Sequence, residues 1–163
     1  MKIKEITKIF NDVSVKIESN NRIILKAPKD QILNILSFFK NKGFEHLSLI
    51  SCVDWIKEKE FEIVYILTTY TEENTHIILK TRISRKKAQI ISITNLFENA
   101  EPYEREIHEL FGITFEGNKR LTPLFLEREY KIPPFRKDFD TRKYVKEFFG
   151  SIPPVPPVKE KKK

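Results

Sequence analysis

The apolar positions change period several times along the chain, and each change marks an element. Ile3, Ile6, Ile9 and Phe10 recur at helical spacing and predict a short amphipathic helix over 2–10. Val13, Val15 and Ile17 then alternate with polar residues, as a half-buried strand does. Ser19-Asn20-Asn21 turns the chain, and 22–26 returns as a second strand. Pro28 and Asp30 open a helix whose buried stripe is Ile32, Leu33, Leu36 and Phe39, with Ile35 flanking; Gly43 ends it. Residues 47–54 form an apolar strand. A polar turn at 57–60 leads to a long alternating strand over 61–70, and after 72–74 the chain pairs back over 76–83. These three runs predict an antiparallel meander with the 30–41 helix on one face, a two-layer α+β arrangement.

The next stretch is the most charged. Arg85-Lys86-Lys87 reads as a solvated turn, and a short helix over 92–99 carries Ile93, Leu96 and Phe97. Then comes Tyr103-Glu104-Arg105-Glu106-Ile107-His108-Glu109-Leu110-Phe111-Gly112. Glu101 and Pro102 mark its start, because proline at the first helical position loses no needed N–H. Glu104 and Glu106 lie toward the positive end of the helix dipole. Tyr103, Ile107, Leu110 and Phe111 make one apolar stripe. Gly112 supplies a left-handed cap, onto which Ile113 folds back. From spacing alone this is a capped surface helix with Arg105 and Glu109 as a solvated i,i+4 pair. Residues 113–118 read as a strand running into a turn.

From residue 119 the periodicity fades and prolines accumulate, at 123, 133, 134, 153, 154, 156 and 157. Only 141–149 has the pattern of a helical turn or two. This tail cannot make its own core, yet Leu124, Phe125, Leu126, Tyr130, Phe135, Phe139, Phe148 and Phe149 argue against plain disorder. The expected organisation is an α+β domain over 1–117, with an antiparallel or mixed sheet and helices packed on one face. An extended Pro-rich C-terminal arm over 118–163 follows. The arm buries its aromatics on its own domain or on a neighbouring subunit, and its prolines reduce the entropy lost on docking.

Composition adds bounds. At 163 residues with 40% hydrophobic and 33% charged positions, one globular domain is expected rather than disorder. No run approaches the roughly 18 apolar residues of a spanning helix. Met1-Lys2-Ile3-Lys4-Glu5 lacks the apolar core of a secretory signal, so a cytoplasmic location is expected. The single Cys52 reads as a small core residue in a reducing compartment. The net charge of +7 includes +3 from Lys159-Glu160-Lys161-Lys162-Lys163. It permits nucleic acid, anionic lipid or an acidic protein as partner and selects none. Abundant Lys, Glu and Ile with one Met fits a thermophilic source.

Little points to chemistry. The four glycines, at 43, 112, 117 and 150, are isolated and form no phosphate loop. One cysteine excludes an iron–sulfur or zinc-thiolate cluster made by this chain alone. His46, His76 and His108 have no ligand spacing, and Glu104 with His108 at i,i+4 lacks a second pair. Acid–base work by Glu104, Glu106 or Glu109 would need a pocket that the sequence does not show. No catalytic, metal or cofactor residue is therefore expected. A second charged cluster, Phe135-Arg136-Lys137-Asp138-Phe139, suits docking, with buried aromatics and arginine bonded to a carboxylate. Arg136 could reach a helix glutamate, or the cluster could be a solvated basic patch.

The two clusters in order, Tyr103 to Gly117 and then Pro134-Phe135-Arg136-Lys137-Asp138-Phe139, resemble the signature of the C-subunit family of respiratory complex I, the NADH-quinone oxidoreductase. The same family includes the corresponding small subunits of membrane-bound hydrogenases and related ferredoxin-linked complexes. Residues 47–54 and 61–67 are similar to its preceding strands, and the resemblance spans roughly 28–139. The family usually has tryptophan at Pro102, aspartate at Glu109, histidine-proline at Asn118-Lys119 and leucine at Phe135. These departures favour an archaeal or anaerobic, hydrogenase-like branch.

The resemblance implies a non-catalytic peripheral subunit without a cofactor of its own. In a complex I-like oxidoreductase of membrane-bound hydrogenase or sulfur-reductase type, it would brace a nickel–iron-hydrogenase-like large subunit in electron transfer coupled to ion pumping, on the cytoplasmic face of the membrane. Iron–sulfur clusters, alone or with a nickel–iron site, would lie on partner subunits, with the membrane arm reached indirectly. Tyr103, Glu104, Arg105, Glu106, Glu109, Phe111, Gly112, Phe135, Arg136, Lys137, Asp138 and Phe139 match the motif positions and would be interface or bracing residues. A subunit of a quinone-reducing complex I is one alternative. Another is a basic nucleic-acid-binding module using sheet aromatics such as Tyr65 and Tyr70, although no RNA motif is present.

Overall fold

The computed structural model describes residues 9–10, 12–19, 21–70, 74–128 and 130–150. The helix expected over 2–10 lies, apart from its last two residues, outside the described residues, as does 151–163 of the arm. Among these described residues, seven strands and three α-helices follow in order: β1 (Ser14–Ser19), β2 (Arg22–Lys26), α1 (Ile32–Asn41), β3 (His46–Trp55), β4 (Glu60–Thr68), β5 (His76–Ser84), β6 (Gln89–Ile91), α2 (Ala100–Phe111), β7 (Thr114–Glu116) and α3 (Thr141–Phe149).

The alternating runs become a five-stranded mixed sheet in the order β1-β2-β5-β4-β3. β3, β4 and β5 form the expected antiparallel meander, in register from Asp54 through Phe61 to Ile83. The β1–β2 hairpin joins it with β2 parallel to β5. Parallel neighbours need a long crossover, and here α1, β3 and β4 supply it. One face presents Leu25, Phe61, Ile63, Tyr65, Leu67, Ile77, Leu79 and Ile83, all buried, and α1 lays Ile32, Ile35, Leu36 and Phe39 against that core. Leu33 is only half-buried, since it lies about 100° round the helix from Ile32 while Ile35 falls on the stripe.

β6 and β7 form a separate parallel pair, with Ile90 opposite Phe115. Their crossover is α2, so the charged helix is the middle of a strand–helix–strand unit. Residues 92–99 are linked turns and not the expected helix: the amides of Leu96 and Phe97 both reach the Ile93 carbonyl at 2.9 Å. The Ile93 amide donates to the Glu104 carboxylate at 2.8 Å, which ties this segment to the helix that follows. Replacing Ile35 by alanine should cost about 3 kcal/mol and Leu33 by alanine about 1 kcal/mol in urea unfolding of the full chain.

Candidate functional site

Helix α2 sorts its polar groups by face. It begins at Ala100, with Asn99 as N-cap residue, so Pro102 is third in the helix and not first. An N–H there has no intrahelical acceptor either, which is why the proline is tolerated. Asn99 donates from Nδ2 to the Leu47 carbonyl at 2.9 Å, and the Tyr103 hydroxyl donates to the Ser48 carbonyl at 3.1 Å. Both bonds cover the edge strand β3 where its register shifts.

One turn on, Glu104 is 0% exposed. Its carboxylate accepts from the Ser92 hydroxyl at 2.8 Å, the Ile93 amide at 2.8 Å and Asn118 Nδ2 at 2.9 Å. Burial pushes its pKa above the ordinary carboxylate value, and the three hydrogen bonds oppose that rise in part. His108, four residues on, does not join it: Nδ1 donates to the Ile113 carbonyl at 2.8 Å. Among the described residues no group of three or more His, Cys, Asp or Glu side chains could hold a metal ion.

Arg105 and Glu109 do not pair with each other. Arg105 forms its i,i+4 ion pair with Glu101 at 3.2 Å and donates to the carbonyls of Thr122 at 3.1 Å and Pro123 at 3.0 Å. Glu109 accepts the next three amides, from Leu124 at 3.1 Å, Phe125 at 3.0 Å and Leu126 at 2.6 Å. The two side chains thus grip five consecutive residues by the backbone alone. Burial would raise the pKa of Glu109, but the amides of Leu126, Phe125 and Leu124 and the charge of Arg105 outweigh it and hold the carboxyl below its usual range. Glu106 is half-buried on the remaining face.

The arm returns to the end of α2. The Phe135 amide donates to the Leu110 carbonyl at 3.0 Å, and Phe135 meets Phe111 edge-on, 5.9 Å between centroids. Phe111 in turn meets Phe61 of β4 at 6.1 Å. Gly112 has φ +76°, and a Cβ there would come within 3.0 Å of Pro133 Cγ, so the position needs glycine for two reasons.

Arg136 does not reach a helix glutamate. It bonds Asp138 through both Nε and Nη2 at 3.0 Å. Arg85 joins this pair to the sheet: Nη2 donates to Asp138 at 2.8 Å and to Asp54 at 3.1 Å. Asp54, 3% exposed, also accepts the Lys137 amide at 2.8 Å. The charges therefore alternate along Asp54, Arg85, Asp138 and Arg136, and both guanidinium groups lie over Phe61, at 5.4 and 5.8 Å from its centroid. Arg85 is accordingly a brace and not part of a solvated turn. No local pattern singles out Asp54, Arg85 and Phe61 for this role; a carboxylate at the end of an apolar strand is the available signal. Phe139 sits apart, in contact with Tyr130 and Tyr144. Tyr65 is fully buried, so it cannot stack on a base.

The two clusters thus meet at the C-terminal end of α2, where Phe135 packs on Phe111, while Tyr103 and Glu104 bond elsewhere along the helix and Phe139 lies apart. A model of the respiratory-chain NADH dehydrogenase 30 Kd subunit matches residues 25–145. The chain belongs to this family. The C subunit of the F(420)H(2) dehydrogenase of Methanosarcina mazei is 35% identical over 126 residues, covering 76% of this chain and 79% of its own. The C/D subunit of the NADH-quinone oxidoreductase of Yersinia pestis (strain Pestoides F) is 32% identical over 129 residues, or 73% of this chain; those residues make up 21% of that longer protein. Among solved structures, a chain of the membrane-bound sulfane sulfur reductase, an archaeal respiratory membrane complex, superposes with TM-score 0.84 at 33% identity, over 98% of this chain and 96% of that one. A trypsin-resistant fragment of Nqo5 shares the fold, with TM-score 0.62 at 20% identity over 71% of this chain and 94% of the fragment.

The two signature glutamates should respond oppositely to pH. Glu104 has a raised folded-state pKa, so the stability linked to it is present below the unfolded carboxylate pKa of about 4.3 and lost as pH rises through the folded value. Glu104→Gln should gain on the wild type over that rise, while Glu104→Ala should cost about 3 kcal/mol by stranding buried donors; urea unfolding across pH checks both. Glu109 has a lowered pKa, so its contribution is present above the unfolded value and lost as pH falls through the folded one. Hydrogen exchange should show the 124–126 amides losing protection at acid pH, and in Glu109→Gln already at neutral pH.

Proposed function

We propose that this chain is the small, hydrophilic, non-catalytic subunit of a complex I-like respiratory oxidoreductase attached to a membrane. The observation that carries the reading is the use made of the charged clusters. Arg105, Glu109, Asp54, Arg85, Arg136 and Asp138 are all engaged in holding the arm, and what the chain then offers a partner is surface. In this reading residues 1–117 are the folded domain, and the arm over 118–163 clamps a nickel–iron-hydrogenase-like large subunit. Iron–sulfur clusters belong to partner subunits. The likeness to subunits of F(420)H(2) dehydrogenase and of an archaeal sulfur reductase supports the hydrogenase-like or sulfur-reductase-like branch. No helix among the described residues is long and apolar enough to cross a membrane, which suits a peripheral subunit attached at the cytoplasmic face through its partners.

The test is native purification from detergent-solubilised membranes with a tag on the full-length chain. A hydrogenase-like large subunit and iron–sulfur subunits should accompany it, and their absence would overturn the assignment. Arg105→Ala should lower recovery of the complex several-fold while far-UV circular dichroism of the chain stays unchanged.

A further inference from the structure

The net charge of the chain is segregated. Residues 1–117 carry 17 lysines and arginines against 17 aspartates and glutamates, whereas residues 118–163 carry 13 against 6. The whole excess of +7 therefore lies on the arm, and the domain beneath it is neutral. The domain gives this charge little to pair with. Of the arm's basic side chains, only Arg120 and Arg136 enter ion pairs among the described residues. Lys137, Arg142, Lys143 and Lys146 are all exposed, and their side chains enter no ion pair among those residues.

A second observation concerns the aromatics. Tyr130, Phe139, Tyr144 and Phe148 form a chain of ring contacts, edge-on with centroids 5.9 Å apart for Tyr130–Phe139 and tilted at 5.0 Å for Tyr130–Tyr144 and 4.5 Å for Tyr144–Phe148. Helix α3, which carries two of them, is capped at both ends, by the Asp140 carboxylate on the Lys143 amide and by Gly150 in the left-handed region. It buries no residue of its own, and Phe148 and Phe149 remain 53% and 71% exposed. An ordered row of rings beside unpaired cations is the composition of a protein-binding hot spot, in which aromatics anchor and charge steers.

We propose that the arm's partner presents an acidic protein surface: an apolar cleft for Phe148 and Phe149, rimmed by carboxylates that meet Lys137, Lys143 and Lys146. The inference rests on the subunit assignment above and adds the chemistry of the partner's face. A protein fits better than a lipid surface for two reasons. The arm is pinned to a folded domain at Thr122 to Leu126 and again at Phe135 to Asp138, so the helix is presented on a fixed base. The sequence after α3, Pro153-Pro154-Val155-Pro156-Pro157, also has the composition of groove-binding segments and not of an interfacial helix.

Zero-length carbodiimide cross-linking of the purified complex, read by mass spectrometry, tests this. Lys137, Lys143 and Lys146 should link to aspartates and glutamates of a partner subunit. The Lys143→Glu/Lys146→Glu double variant should lose those links and leave the complex at least tenfold faster at about 0.1 M salt, with the wild type approaching the same rate as salt rises. Links confined to the chain itself, or equal retention of variant and wild type across the salt series, would overturn the inference and leave the subunit assignment standing. Lysine-dependent flotation of the complex with phosphatidylglycerol vesicles, without partner links, would overturn it in favour of a lipid surface. A chain recovered from membranes with no partner subunit would end both readings.

Discussion

Glu104 leaves water on folding and finds no cation in its place. Three neutral donors take over: an amide and a hydroxyl from the loop after β6, and a side-chain amide from the turn after β7. A carboxylate so placed is stable only while every donor points at it, because an unpaired buried charge costs several kcal/mol. The constraint therefore runs outward. It sets the 92–99 turns against the helix, ties the ends of the paired strands β6 and β7 to it, and orients Asn118, whose own side-chain oxygen accepts the Arg120 amide.

Five residues along the same helix, Glu109 solves the opposite problem. Three backbone amides of the arm would otherwise point at a half-covered surface, and one carboxylate satisfies them together. Magnitudes explain why Arg105 and Glu109 ignore each other. An exposed i,i+4 pair is worth a few tenths of a kcal/mol, while charge-assisted bonds to backbone groups are each worth more, and five such groups are at stake.

The fold is largely legible because strand alternation and the α1 stripe are local signals. Val15, Phe61, Ile63, Leu79 and Phe39 declare their faces within a few neighbours. The parallel contact between β2 and β5 is not legible, since nothing in 22–26 or 76–80 specifies its partner. Residues 92–99 mislead because Ile93, Leu96 and Phe97 have helical spacing, while the amides of Leu96 and Phe97 both close onto the Ile93 carbonyl in linked turns. The site divides in the same way. The two charged clusters stand out in the chain, but the residues that join them do not: Arg85 reaches Asp54 across 31 positions and Asp138 across 53, and Asp54 reaches the Lys137 amide across 83. A short reading window sees a basic turn and a strand-end aspartate, and not the alternating chain they complete.

The grip on the arm's first segment touches only peptide groups. Thr122 and Pro123 are held by their carbonyls and the next three residues by their amides, so the side chains there take no part in it. Evolution can rewrite those five side chains without loosening the anchorage, provided proline stays out of the last three. An arm tethered in this way can drift in step with whatever surface it covers, which is one physical route by which a single scaffold could serve assemblies of different chemistry.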